Sequence, residues 1–363
     1  MGGFSKLKVD LLCKGVRLGI GIDRGRKGGA GPAGGRYIVL PSGRCVNAAM
    51  WGKFVGKSPY VLVEIDEKFY IVRENGEKVS EVDLVPYPQF YRRRTSYGTP
   101  MWKVALLHGV DCLATTVLQK CIYWRKGLGC KFCGIELSLK SGRTILLKKP
   151  EEFREVVDAA VEEGVCKHIT LTTGTPGTPD KGAKLLAEIV REVKSYHKVP
   201  IHVQLEPPDD LRYIEMLADA GADTIGVHIE TFDKKVFHEV CPGKGSIGME
   251  KFYETWARCV ELFGECQVST YVIVGLGERV ESVVKGSEKA AEIGVVPYIV
   301  PLRPIIGTPF ENRSPPSPEK LIYIYREVAQ VLRDYGVDPR KNLAGCVRCG
   351  ACSALTEAYE GKL

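Results

Sequence analysis

From about residue 101 the chain alternates between short apolar runs and amphipathic stretches. The apolar runs 104–108, 168–173, 202–206, 224–230, 267–275 and 296–302 predict strands. Between them, apolar residues recur at helical spacing over 150–163, 181–194, 210–220, 249–263 and 278–293. Strands that alternate with helices imply a parallel sheet, because parallel neighbours need crossover connections. Right-handed crossovers would curl such a sheet into a partial barrel. The expected class is therefore α/β, with a (β/α)6 partial barrel over residues 101–312.

Residues 1–100 read as mostly β. The stretch YVLVEIDEKFYIVRENGEKV alternates well, with turns expected at Asp66–Lys68 and at Asn75-Gly76. The glycine-rich segment 19–36 is not followed by a helical pattern, so it fails the context test for a dinucleotide loop and reads as a surface loop. The run RSPPSP at 313–318 marks a boundary. A helix is expected after it, over 319–335, and then a short cysteine-bearing tail, so that 313–363 forms a third unit.

Charge changes this picture little. Lys+Arg number 51 against Asp+Glu 44, a net +7 spread along the chain. The cluster Arg92–Arg94 has no base-stacking aromatic motif beside it, so no nucleic-acid partner is expected. No apolar run approaches the ~20 residues of a membrane span, and none is expected. The first residues lack the long apolar run of an export signal. Thirteen cysteines in such a chain point to a reducing cytoplasm and to metal binding rather than disulfides.

Six of those cysteines carry the candidate chemistry. Cys121, Cys130 and Cys133 stand as C-x8-C-x2-C, with the aromatic Phe132 before the last. Three close thiolates make a poor structural zinc site, which wants four protein ligands. They suit a [4Fe–4S] cluster with one iron open to a small molecule. Cys346, Cys349 and Cys352 stand as C-x2-C-x2-C in GCVRCGACSALTEAYEG. This spacing lets successive thiolates reach different corners of one cube. A zinc knuckle is the weaker rival, since no second CxxC or histidine pair accompanies it. The fourth ligand is open: Ser353, another cysteine, an N-terminal residue or substrate. The other seven cysteines, Cys112 and Cys241 included, read first as small core residues.

The first cysteine loop resembles the cluster loop of the radical S-adenosylmethionine (SAM) superfamily, where C-x3-C-x2-C with an aromatic before the third cysteine is usual. The x8 half departs from that pattern. Other segments resemble the same core. Thr172, Thr173 and Gly174 end the second predicted strand, where the superfamily meets the methionine amino group of SAM. Glu230 ends the fourth, as a candidate partner of SAM. Gly275 and Gly277, in GLGE, resemble an element of biotin and lipoyl synthases and would approach adenine. The combination looks most like one subunit of the archaeal two-component lipoyl synthases.

That resemblance implies two [4Fe–4S] clusters and SAM as cofactors. It implies reductive cleavage of SAM, hydrogen abstraction and sulfur insertion into an octanoyl chain on a carrier protein or lipoyl domain. A second radical SAM subunit and an electron donor such as ferredoxin would be its partners. Two alternatives stand beside it. In one, a radical SAM enzyme modifies a peptide or small molecule and uses the tail cluster for electron transfer. In the other, the chain is an iron–sulfur carrier or scaffold without catalysis. The tail is expected to fold back over the barrel opening.

Overall fold

The computed structural model describes residues 2–25 and 35–363. Half of the glycine-rich segment 19–36 thus falls outside the described residues. Before the barrel come β1 (Arg17–Leu18), β2 (Gly35–Val39), β3 (Cys45–Ala49), β4 (Tyr60–Ile65), β5 (Lys68–Arg73) and β6 (Lys78–Leu84). They form one sheet in the order β1-β4-β5-β6-β2-β3. The turn read at Asp66–Lys68 closes the β4–β5 hairpin, with Asp66 and Glu67 both in the left-handed region that tight hairpins require.

A helix precedes this sheet, α1 (Gly2–Lys14), which the β-rich reading of 1–100 did not anticipate. Its Leu7, Leu11 and Leu12 pack on the N-terminal sheet, while Val9 and Cys13 join the barrel core. A helix buried on two sides lacks the single apolar stripe by which sequence reading finds helices.

The barrel sheet runs β7 (Leu106–His108), β8 (Cys112–Thr116), β9 (His168–Thr172), β10 (Ile201–Leu205), β11 (Thr224–Val227), β12 (Val268–Val274) and β13 (Val296–Pro301), each strand beside the next. From β8 to β13 every pairing is parallel. The chain thus has the expected α/β half-barrel of six parallel strands. One assignment changes. Residues 104–108 are not the first barrel strand: β7 is a short antiparallel edge on β8, joined through Gly109 at φ 60°. Strand β8 is buried at every position and rich in Cys, Ala and Thr, so no alternation betrays it.

The crossover helices follow closely the predicted ones, as in the stretches Pro150–Glu162, Ala183–Tyr196, Met249–Phe263 and Val280–Glu292. Strand alternation puts Thr170 and Thr172, Gln204 and Glu206, and Tyr271 and Ile273 on the barrel's inner wall. Their neighbours Ile169, Leu171, Val203 and Val272 belong to the fully buried core. The half-barrel is open between its edges β7 and β13. The N-terminal sheet stands at this seam. Arg303, just past β13, donates through Nη2 to the carbonyl of Asn47 on β3, and the rings of Tyr37 and His108 lie 6.0 Å apart. Among the described residues no helix is long and apolar enough to cross a membrane.

Candidate active site: two cysteine triads on one cavity

A cavity of about 570 Å³ runs inside the half-barrel and is lined by both cysteine triads. The first triad sits at the C-terminal ends of the strands, where barrel enzymes place their chemistry. The residues that make its spacing unusually long form a helical turn, Ile122–Arg125, with Cys121 at its start. The amide of Ile122 donates to the Thr175 carbonyl at 2.8 Å, which ties Cys121 to the end of β9. Cys133 donates its amide to the Cys130 carbonyl at 3.0 Å, and Lys131 donates to Val240 at 2.9 Å. The x8 spacing therefore lengthens the loop while all three cysteines and Phe132 still line the cavity.

Thr172, Thr173 and Gly174 line the cavity. Only glycine fits at 174, because a Cβ there would lie 2.1 Å from the Lys120 carbonyl oxygen. Glu230 also lines it, in a left-handed backbone at φ 70°. Its carboxylate has a partner that sequence reading missed. Lys244 donates to Glu230 Oε1 at 2.5 Å and to the His228 carbonyl at 2.8 Å. Burial works against the Lys244 charge, but Glu230 outweighs it, helped by the nearby thiols of Cys130 and Cys241, and holds the ammonium above its ordinary range.

Glu206 was missed too. It ends β10, receives the Tyr123 hydroxyl at 3.0 Å, and leaves its buried Oε2 without a partner. Burial pushes its carboxyl up, against the pull of Lys244. The signal was there to use: Glu206 stands at the C-terminal end of a strand, as Glu230 does.

Gly275 and Gly277 do not line this cavity. Their turn is closed on itself, because the Glu278 carboxylate accepts from the amides of Gly275 at 3.0 Å and Gly277 at 3.0 Å. Lys320 neutralises that carboxylate at 3.1 Å. The positive φ of both glycines serves this turn.

The second triad reaches the cavity from the other end. The tail does not fold over the opening. Gly345 donates to His168 Nδ1 at 3.1 Å, and the Ala344 carbonyl receives the Thr224 hydroxyl at 3.3 Å. His168, His202 and Thr224 stand at the starts of β9, β10 and β11, so the tail seals the N-terminal floor of the barrel. A Cβ at Gly345 would lie 2.4 Å from His202 Cγ, which explains that glycine. Gln204 Nε2 lies 3.8 Å from Cys346 Sγ, and Asn47 Nδ2 lies 3.7 Å from Cys352 Sγ. Behind the floor, Lys8 of α1 pairs with Glu357 at 2.6 Å and donates to the Gly350 carbonyl at 2.8 Å.

Ser353 faces away from all this. Its hydroxyl donates to the Ile299 carbonyl at 2.6 Å and accepts from the Leu355 amide at 3.2 Å, and it does not line the cavity. That commitment to backbone removes it as a ready ligand.

Among the described residues no group of three or more His, Cys, Asp or Glu is arranged to hold a single metal ion. A cube of four irons asks for something different, thiolates at separate corners. The mouth fits such a group and a chelating ligand. It has three soft thiols on one rim, an ammonium beside Cys130, and an unpartnered carboxylate oxygen on Glu206. Burial pushes Cys133 up to about 12, so loading must displace its proton.

A family model described as the radical SAM superfamily matches residues 127–287, which takes in Cys130 and Cys133. The bacteriochlorophyllide c C-7(1)-hydroxylase of Chlorobaculum limnaeum is 23% identical over 356 residues, 91% of this chain and 84% of that protein. The mitochondrial lipoyl synthase of Arabidopsis thaliana is 27% identical over 173 residues, 46% of this chain and 44% of that protein. The chain thus spans under half the length of that synthase. Among solved structures, a methylornithine synthase covers 63% of this chain, and 64% of its own is covered, at 16% identity and a TM-score of 0.49. The family implies a [4Fe–4S] cluster and SAM. Residues 127–287, which take in four of the six parallel strands and part of the cysteine loop above them, are thus similar to the radical SAM superfamily.

Proposed function

We propose that this radical SAM enzyme inserts sulfur into an unactivated carbon of an acyl chain, in the manner of lipoyl synthases. One observation carries the reading: the second cysteine triad opens onto the same cavity as the first. Donation of sulfur needs donor and substrate carbon in contact, and a shared cavity permits that.

In this reading Cys121, Cys130 and Cys133 hold one [4Fe–4S] cluster, and Cys346, Cys349 and Cys352 take part in holding another. When bound, the first cluster and SAM supply a 5′-deoxyadenosyl radical that removes a hydrogen atom from carbon. The protein's own part is placement and exclusion. Lys244 and Glu230 form a fixed pair of charges at the mouth, suited to the charged end of SAM. The narrow backbone at Gly174 and the ring of Phe132 shape its seat. Leu106, Tyr91 and Trp102 wall the cavity with apolar surface and keep water from a reactive carbon. An octanoylated carrier or lipoyl domain is the proposed substrate, with a ferredoxin-type donor and a second radical SAM subunit as partners. Such carriers are often acidic, and the net charge of +7 favours the encounter.

A second reading has an observation of its own. The relative that covers 91% of this chain is a hydroxylase. In that reading the floor cysteines hold an electron relay, and the product gains no sulfur. Protein reconstituted with heavy-isotope sulfide separates the two. Label in a thiolated product supports insertion. A product free of label, with the floor cluster intact after turnover, favours the relay.

A further inference from the structure

The floor holds more thiols than the tail supplies. We propose that Cys112, at the start of β8, provides the fourth protein thiolate of the iron–sulfur site at the floor. The inference rests on the reading of the floor triad as a cluster site, and it names the ligand which that reading leaves open.

Cys112 lines the same cavity as Cys346, Cys349 and Cys352. The hairpin that begins its strand lies against the tail. Gly109, in the β7–β8 turn, is so close to Cys349 that a Cβ there would sit 2.6 Å from its Sγ. The Cys112 sulfur meets the Thr170 hydroxyl at 3.3 Å, and Thr170 also faces the cavity. A buried cysteine ordinarily packs as a small hydrophobe. This one opens onto a cavity beside three other thiols.

Cys45 on β3 is the rival. It lies near Cys352 and Cys349, but it does not line the cavity. Ser353 is spent on the Ile299 carbonyl. Ligation at Cys112 breaks its S–H bond, forms an S–Fe bond and releases one proton to solvent, with no change in iron oxidation state. The consequence is chemical. With four thiolates at the floor, every iron of such a cluster would have a protein ligand, and substrate would not bind there to an open iron.

The test uses the full chain with Cys121, Cys130 and Cys133 all changed to Ala, reconstituted anaerobically, so that only the floor can load. About four irons per chain are expected in this background. Adding Cys112→Ala should leave one iron without a protein ligand, so that mild oxidation removes it and gives the electron paramagnetic resonance signal of a three-iron cluster, which the background does not give under the same oxidation. Adding Cys45→Ala instead should behave as the background. No three-iron signal after oxidation of Cys112→Ala, or that signal appearing in Cys45→Ala, would overturn the assignment. Should Cys112→Ala lose its helical circular dichroism, the near-isosteric Cys112→Ser decides. A shifted reduction potential supports oxygen ligation there, and an unshifted one refutes it. A background that binds no iron at all would instead remove the floor cluster itself.

Discussion

The mouth and the floor of this half-barrel present the same ligand chemistry in opposite surroundings. At the mouth the thiols share their space with charge: Lys244, Glu230 and Glu206 stand among them. At the floor the side chains that meet the tail sulfurs are uncharged. Tyr271, Tyr298, Gln204 and Asn47 face the tail cysteines, and burial holds His202 uncharged, down at about 3. Each end also has one buried ion pair, used differently. Lys244–Glu230 lines the cavity, whereas Lys8–Glu357 sits behind the tail and fastens it. A charged rim suits a polar cofactor that comes and goes. A sealed floor suits a group installed once and kept.

The sharpest way to break this comparison is to empty one end at a time. Changing Cys121, Cys130 and Cys133 to Ala should abolish 5′-deoxyadenosine formation altogether and remove about half the iron. Changing Cys346, Cys349 and Cys352 should remove a similar share of iron yet leave SAM cleavage in place, with loss of the final product. If the floor variant also ceased to cleave SAM, the division of labour between the ends would be wrong.

The ion pairs come next. Removing one partner of a buried pair leaves an uncompensated charge and costs about 3–5 kcal/mol. Lys244→Met and Lys8→Met should both reach that range in denaturant unfolding. They should differ in what else they lose: SAM affinity in the first, retention of floor iron in the second.

A smaller effect follows from the histidines. Gly345 donates to His168 Nδ1, and burial pulls the pKa of both His168 and His202 down. A folded pKa of about 3 against an ordinary 6.5 means that the unfolded chain binds more protons between those values. Stability should therefore be complete above pH 6.5 and fall as pH drops toward 3. Melting temperatures across that range should flatten in His202→Gln. An equal slope in the variant would place the acid sensitivity elsewhere. Smallest of all, Ser353→Ala should cost about 1 kcal/mol through its lost hydrogen bond and leave the iron content unchanged.

The mouth was far more legible in the sequence than the floor. Its cysteines, Thr172–Gly174 and Glu230 are local motifs at strand ends, and such motifs survive as patterns. Lys244 was hidden because its meaning is a long-range contact: it meets Glu230 only after two short helical turns bring it back. Gly275 and Gly277 are the reverse case. Their pattern is a turn held by Glu278, and the pattern alone does not say which way the turn faces. The floor needed the fold. Cys112 hid in a strand with no alternation, and the tail's destination depended on histidines and a threonine at the starts of three strands. The N-terminal helix stayed silent because it is apolar on two sides.

The fastening of the floor also fixes when it can be finished. Lys8 and Glu357 lie 349 positions apart, yet their contact holds the tail in place. Chains emerge from the ribosome residue by residue, and the earlier parts begin to fold first. The half-barrel strands can therefore assemble around an open base, exposed to whatever delivers iron and sulfide. Only when residue 357 is free does the base close. In the proposed reading, loading of the floor thus has a window set by synthesis itself.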